Sequence, residues 1–424
     1  MNNQKKNAII VSLHDNTSEI VQLSNSLGYK VLSEFIQHRK IPDVNFYVGS
    51  GKVEEIKEFI NNNNEDINLI IVDGELKPSQ WFALEKSLNV DVYDRIRLIL
   101  AIFEERAERK EARLQVKLAQ LQYERPYVRE LIHRARAGEH PGFMAGGEYQ
   151  VDDYYETIKK QMKKIKEDLN KIRGDRELHR QTRYKSGFYL VSLAGYTNAG
   201  KSSLLNILSG EKVKVEGRLF STLSTTTRRI KSKQANIPIL LTDTVGFIED
   251  LPAWIIDAFH STLEEIELAD VVVLVVDGSE EKEVVEKKLQ VSLNELYDLG
   301  VNASIIIALN KIDLKNNKDI DNLKQYLNQR GLLKDRACIP ISIKEGINID
   351  LLLESIYESL PQLTEISMKL PINKEAQSFV SELYNKTRVT NIKYSNYIII
   401  DIECNAKIRD KIVSKCMSLQ GSIL

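Results

Sequence analysis

Two glycines separated by four residues, then a lysine and a serine, form the chain's strongest concentration of anion-binding groups: Gly195-Tyr196-Thr197-Asn198-Ala199-Gly200-Lys201-Ser202, followed by Ser203. This is the G-x-x-x-x-G-K-S spacing of a phosphate-binding loop. In such a loop, backbone N–H groups and the start of the next helix face a β-phosphate. Lys201 is then placed to neutralise the β- and γ-phosphates, and the Ser202 hydroxyl to bind Mg²⁺. A ligand-free turn would share the glycines, but here the flanks also fit. Residues 188–194 read as a buried strand and 202–208 as a helix.

The other parts of a nucleotide site follow in order. Asp243-Thr244-Val245-Gly246 closes an apolar run with D-x-x-G. Asp243 is expected to hold Mg²⁺ through water, and the Gly246 amide to touch a γ-phosphate until hydrolysis removes it. Upstream, Phe220-Ser221-Thr222-Leu223-Ser224 opens a Thr-rich loop of the switch type, one of whose threonines completes the Mg²⁺ shell. Thr222 lies 21 residues before Asp243, which leaves room for one strand near 230–235; Thr226 competes for the same role. The candidate catalytic groups are therefore Lys201, Thr222 and Gly246, and the candidate metal ligands Ser202, Thr222 and Asp243.

Asn310-Lys311-Ile312-Asp313 follows a strand at 304–309 and selects the base. A carboxylate at Asp313 accepts from guanine N1–H and the exocyclic amine, whereas adenine would leave it unpaired. Asn310 and Lys311 brace the loop and cover the ring, and Ser342-Ile343-Lys344 supplies a further base-covering loop. Four such motifs, each after a strand, predict GTP and GDP as bound nucleotides, Mg²⁺ as cofactor, and GTP hydrolysis. Phe247 stands where Ras-like GTPases often carry a water-orienting Gln, so intrinsic turnover is expected to be slow.

The elements around these motifs divide the chain into four expected domains. Residues 1–95 alternate short strands (8–13, 29–36, 45–48, 69–72, 90–93) with helices (18–27, 53–60, 78–88), which implies a parallel α/β domain. Two features there invite chemistry. Gly49-Ser50-Gly51-Lys52 could hold a second nucleotide's phosphate but lacks the full spacing, and a plain tight turn is the favoured reading. Asp73 and Asp94 end strands, where helix capping is favoured over ligand binding. Residues 96–185 are helical and charged, with Pro126 expected to kink or restart the first helix. The Gly/Pro-rich stretch 138–147 is expected to be the tip of an antiparallel hairpin whose arms reach roughly 38 Å. Residues 159–185 hold eleven Lys or Arg against four Asp or Glu. That is either a solvated helix face or a phosphate-backbone contact, and Arg125, Arg129, Arg134 and Arg136 on the other arm favour RNA. Phe143 and Met144 either anchor in a partner or fold back on the hairpin. Residues 186–362 form the GTPase domain. Residues 363–424 read as a small β-α-β-β-α domain, suited to docking, RNA contact or covering the GTPase surface.

A net charge of −1 excludes a general polycation, so nucleic-acid contact must be local. Cys338, Cys404 and Cys416 form no CxxC pair, which argues against a metal or disulfide framework. No apolar run approaches the ~18 residues of a membrane span, and a soluble cytoplasmic protein is expected.

The motifs together resemble the HflX family of translation-factor-related GTPases. The resemblance extends beyond the nucleotide motifs to residues 47–56 around the Gly49–Lys52 turn, to Asp73-Gly74-Glu75-Leu76-Lys77-Pro78-Ser79-Gln80, and to the helical stretches 94–103 and 114–121. It covers about residues 1–360 and aligns Thr222 with the family's switch threonine. It implies an α/β multidomain fold: an N-terminal parallel α/β domain with a long helical hairpin, a Ras-like P-loop GTPase domain and a small C-terminal α+β domain. It also implies a GTP-hydrolysing switch on the large ribosomal subunit and its rRNA, serving ribosome rescue, splitting or biogenesis. A monomer off the ribosome is expected, without a DNA partner. A nucleotide-dependent RNA remodeller and a non-catalytic GTP-sensing scaffold are the competing readings. The sequence departs from the family at 138–147, where many bacterial members carry a different Gly-rich loop, and this points to an archaeal-type variant.

Overall fold

The computed structural model of the chain describes residues 6–63, 65–136, 148–184, 188–210, 226–230, 239–248, 252, 254–255 and 265–424, with side chains at all of these except 132–136, 148–153, 175–184 and 385. Its contacts divide it into two compact units, one built mainly from residues 1–172 and the other mainly from 173–424.

The first unit opens with the strands β1 (Lys6–Ser12), β2 (Tyr29–Ile36), β3 (Ile67–Val72) and β4 (Val92–Asp94), paired in the order β2-β1-β3-β4 and all parallel. Helices α1 (Ser18–Ser26), α2 (Ser50–Asn62) and α3 (Pro78–Leu88) connect them. Strands β1 and β3 are continuous Ile/Val/Leu runs because parallel strands are buried on both faces. The segment 45–48, expected as a strand, is a turn with a single bridge between Asp43 and Tyr47. Tyr47 has φ 71° and donates its hydroxyl to the Asp73 carbonyl at 3.0 Å. A side chain on Gly74 would collide with that hydroxyl at 2.1 Å, so the glycine permits the approach.

Asp94 caps α4 (Arg95–Arg106) by accepting from the Arg97 amide at 2.8 Å, as the sequence suggested. Asp73 does not cap; its carboxylate takes Arg95 Nη1 at 2.9 Å, and the same guanidinium reaches Glu19. The helical middle breaks at Ala107, not at Pro126, which lies inside α5 (Lys110–Arg136) without ending it. Helix α6 (Glu148–Tyr184), at 37 residues, is roughly 55 Å long. It packs on α5 along Leu118, Leu121, Val128, Ile158 and Met162. Away from that seam, Lys160, Lys163, Lys164 and Lys166 are exposed. The tip at 138–147, with Phe143 and Met144, lies outside the described residues.

The second unit contains two sheets. The larger has the order β10-β9-β8-β5-β7-β6, comprising β5 (Tyr189–Ala194), β6 (Thr226–Ile230), β7 (Ile239–Asp243), β8 (Val271–Asp277), β9 (Ser304–Asn310) and β10 (Cys338–Pro340). All pairs are parallel except β6–β7. The Val-rich β8 is buried over six consecutive residues in the middle of this sheet. Helices α7 (Lys201–Ser209), α8 (Lys282–Asp298), α9 (Asn317–Gln329) and α10 (Ile349–Ser359) accompany it, and Leu204, Leu205 and Leu352 join its core. The strand between the Thr-rich loop and Asp243 starts at Thr226, earlier than expected, and pairs Thr226 with Asp243.

The smaller sheet has the antiparallel order β12-β13-β11-β14, formed by β11 (Leu363–Leu370), β12 (Arg388–Tyr394), β13 (Ile398–Asn405) and β14 (Ser422–Ile423). Helices α11 (Lys374–Lys386) and α12 (Ala406–Ser418) pack on it, which gives a β-α-β-β-α-β chain path. The two-residue edge strand β14 adds to the expected elements. Tyr189 Oη donates to the Pro361 carbonyl at 2.9 Å, and Lys407 Nζ meets Asp270 at 2.6 Å, tying the two sheets together.

Candidate nucleotide-binding site

The candidate loops leave the carboxyl ends of the large sheet's parallel strands, where open α/β sheets bind ligands. Gly195–Gly200 connects β5 to α7, Thr244–Phe247 follows β7, and Lys311–Asp313 follows β9. Because β5 lies between β7 and β8, the phosphate-binding motif and D-x-x-G leave neighbouring strands.

The loop's shape depends on two glycines. Gly195 has φ +135°, and a Cβ there would sit 2.1 Å from the Val275 carbonyl oxygen. Gly200 has φ +108°, and its Cβ would strike Asn310 Nδ2 at 2.4 Å. Only glycine adopts these angles and permits these approaches without strain. Asn198 also takes a positive φ, 62°, a conformation that Asn tolerates better than most residues.

Lys201 opens α7 and is almost fully buried. Its Nζ donates to the carbonyls of Gly195 at 2.9 Å and Tyr196 at 2.8 Å, so the ammonium is held within the loop. Burial lowers its pKa to about 8, and the Asp243 carboxylate partly opposes the shift. Ser202 Oγ donates to Asp243 Oδ2 at 2.7 Å. Ser203 follows on the first turn of the same helix.

The D-x-x-G segment is locked onto the loop through its backbone. Phe247 N donates to Gly195 O, and Thr197 N to Phe247 O, both at 3.0 Å. Gly246 lies so close that a Cβ would meet Lys201 Nζ at 2.8 Å and Thr197 N at 2.9 Å. Val245 is buried, and Thr244 Oγ1 ties the segment to the Leu193 carbonyl at 2.7 Å.

The base-side residues form a second linked group. Asn310 Nδ2 donates to the Ala199 carbonyl at 2.8 Å, while its Oδ1 accepts from Ile343 N at 3.2 Å. One side chain thus braces the phosphate loop against the Ser342–Lys344 loop. Ser342 Oγ donates to Asp313 Oδ1 at 2.6 Å, fixing one carboxylate oxygen. Lys311, at φ 65°, reaches Asp277 Oδ2 at 2.5 Å. Burial pushes the Asp277 carboxyl up, but Lys311 and Ser279 together hold it below its usual range. Ile312 starts a short 3-10 turn that carries Asp313, and Lys344 is exposed beside Glu345.

Gly195–Ser203, Asp243–Gly246, Asn310–Asp313 and Ser342–Lys344 are therefore brought together. Phe220, Ser221, Thr222, Leu223 and Ser224 lie outside the described residues. One contributor escaped the sequence reading: Asp277, which orients Lys311, was signalled only by an acid ending the Val run of β8. In the N-terminal domain, the Gly49 amide donates to Gln37 Oε1 at 2.8 Å and Lys52 pairs with Glu55 at 2.7 Å. That is the geometry of a helix-opening turn.

Three family models match the chain. One described as GTP-binding GTPase N-terminal covers residues 14–104, GTP-binding GTPase middle region covers 106–183, and 50S ribosome-binding GTPase covers 190–311. The GTPase HflX of Methanocaldococcus jannaschii is 40% identical over 409 residues, 95% of this chain and 96% of its own length. The GTPase HflX of Thermococcus kodakarensis is 43% identical over 355 residues, 84% of this chain and 78% of its own. The crystal structure of SsGBP in complex with GDP matches with a TM-score of 0.51 at 30% identity, over 83% of this chain and 98% of that one.

Proposed function

We propose that this chain, which belongs to the HflX family of GTPases and binds and hydrolyses GTP, uses hydrolysis as a switch that times its stay on the large ribosomal subunit. The observation that carries the switch reading is the convergence of Lys201, Gly246 and the Ser202–Asp243 pair at the N-terminus of one helix. Lys201 neutralises the β- and γ-phosphates, and the loop amides and helix N-terminus orient them. Gly246 reports the γ-phosphate: its close fit against Thr197 and Lys201 couples the D-x-x-G segment to whatever the loop holds. Asp313, steadied by Ser342, reads guanine.

A hydroxyl and a carboxylate 2.7 Å apart are hard oxygen donors and suit Mg²⁺. Ser202 and Asp243 would hold it, with Thr222 as a third ligand. Bound there, Mg²⁺ would offset phosphate charge. The Phe247–Gly195 and Thr197–Phe247 backbone bonds hold the D-x-x-G segment against the loop. Phe247 has no side-chain group to orient an attacking water, so the partner or another residue supplies that function.

Ribosome binding is supported by the exposed lysines of α6 and by a family model described as 50S ribosome-binding over 190–311. We divide the chain at 1–95, 96–185, 186–362 and 363–424, and take it to be a cytoplasmic monomer off the ribosome, acting in rescue, splitting or biogenesis. The test is sedimentation of the full chain with purified 50S subunits over a salt series. Binding should require a non-hydrolysable GTP analogue and be lost with GDP. The salt slope should fall by about 0.7–0.9 for each phosphate-contacting lysine removed from α6. Equal sedimentation with either nucleotide would overturn the switch reading.

A further inference from the structure

The C-terminal sheet packs its helices on one face, and between α11 and α12 runs a groove of about 440 Å³. Its floor is apolar: Phe379 and Leu383 from α11, Ile408 and Ile412 from α12. Its rim is cationic, with Lys386 on one helix and Lys411 and Lys415 on the other. Glu382 is the acid among the lining residues, and Lys386 already takes it at 2.6 Å. Lys386 is the main cause that holds this carboxyl below its usual range, and the charges of Lys411 and Lys415 add to it. Lys411, Ser414, Lys415 and Ser418 are exposed along one side of α12. The rim therefore carries positive charge beyond what its own acid offsets.

The sheet's outward face differs. There Arg388 pairs with Glu403 at 3.2 Å, and Asp401 accepts from Asn391 at 3.0 Å with Lys393 acting on it as the opposite charge, so acids and bases are interspersed on that face. The domain's uncompensated charge lies on the helix side, beside the apolar floor.

We propose that the groove between α11 and α12 is a docking site for an acidic peptide segment that presents apolar side chains between its carboxylates. Charge complementarity with Lys386, Lys411 and Lys415 selects the partner's carboxylate side chains, and the floor together with the aliphatic stems of those lysines selects its apolar residues. A volume at the lower end of the ~300–1,000 Å³ range of small-ligand sites holds a few side chains, not a whole helix. Single-stranded RNA fits less well. Its bases need exposed aromatic faces for stacking, and the groove's aromatic residue, Phe379, is 5% exposed.

The experiment uses the full chain with GDP and a fluorescein-labelled synthetic peptide in which Asp and Glu alternate with Leu and Phe, read by anisotropy. Wild type should bind it, and the paired substitution Lys411→Glu and Lys415→Glu should weaken binding about tenfold or more. Ser414→Trp, which fills the groove from an exposed position, should also remove binding, and it decides the matter if the charge-reversed chain fails to fold. Both variants should retain wild-type GTP turnover and melting temperature. The proposal is overturned if wild type does not bind the peptide, or if a peptide with Ser in place of Leu and Phe binds as tightly. It is also overturned if an oligouridylate RNA displaces the peptide and loses its own affinity in the same variants.

Discussion

Gly246 offers the sharpest test of how the two phosphate-side motifs communicate. Replacing it by Ala puts a methyl group 2.8 Å from Lys201 Nζ, 2.9 Å from Thr197 Cγ2 and 2.9 Å from Thr197 N. The lysine tip could swing away, but Thr197 N is backbone of the phosphate loop. Ordinary contact begins at 3.4 Å, so the D-x-x-G segment and the loop must part by about half an ångström or more. Overpacking of this kind costs roughly 1–3 kcal/mol. If the separation falls on the nucleotide-bound arrangement, affinity for a GTP analogue drops by about five- to a hundredfold. GDP affinity should change far less, because the proposed partner of Gly246 is the γ-phosphate that GDP lacks. Titration of a fluorescent GTP analogue and its GDP counterpart, with turnover measured in parallel, gives the result. Wild-type GTP affinity and turnover in Gly246→Ala would refute the idea that this contact couples the motifs.

Asp313→Asn replaces an acceptor by a donor opposite guanine N1–H. GTP affinity should fall by about tenfold or more while xanthosine triphosphate gains, in a competition titration that unchanged GTP affinity would contradict. The depressed pKa of Lys201 predicts a pH effect whose sign is fixed. Its folded value near 8 lies below the ordinary 10.5, so the folded chain releases this proton first. Stability from this group is therefore greatest above pH 10.5 and declines as pH falls through about 8. Phosphate favours the charged form, so nucleotide binding at pH 8–9 should take up protons, read by calorimetry in buffers of different ionisation enthalpy, and affinity should weaken as pH rises. Proton release on binding would contradict it. Lys201→Ala should abolish turnover without unfolding the chain, as melting and hydrolysis assays would show.

The strands under the site were legible because parallel buried strands must be continuous apolar runs, as β5, β8 and β9 are. Phosphate-loop geometry was legible because few sequences place glycine where φ must be positive and backbone must pass within contact. The misreadings arise mostly where contacts distant in sequence decide the structure. Phe46-Tyr47-Val48 has β-forming residues, yet its burial serves a turn fixed by the Tyr47–Asp73 hydrogen bond, a contact 26 residues apart. The helix break at Ala107 falls within a stretch whose residues favour helix, and there Arg113 Nε donates to the Ala107 carbonyl. Asp73 looked like a cap until the fold placed Arg95 beside it. β14 is two residues long and exists through pairing with β11, which no local pattern announces. At the site, motif spacing located the groups, but the cross-links between motifs, Asn310 to Ala199 and Ile343 and Ser342 to Asp313, depend on loops brought together by the sheet order.

The central claim is that hydrolysis is completed on the large subunit, since Phe247 stands where a water-orienting Gln is often found and has no group of its own to do that work. The direct measurement is GTP turnover by the full chain, alone and with purified 50S subunits, at fixed salt and Mg²⁺. The account predicts slow turnover alone, a rise of about tenfold or more with the 50S particle, and none with Lys201→Ala in either condition. Fast hydrolysis by the isolated chain, or a rate that the 50S subunit leaves unchanged, would contradict it.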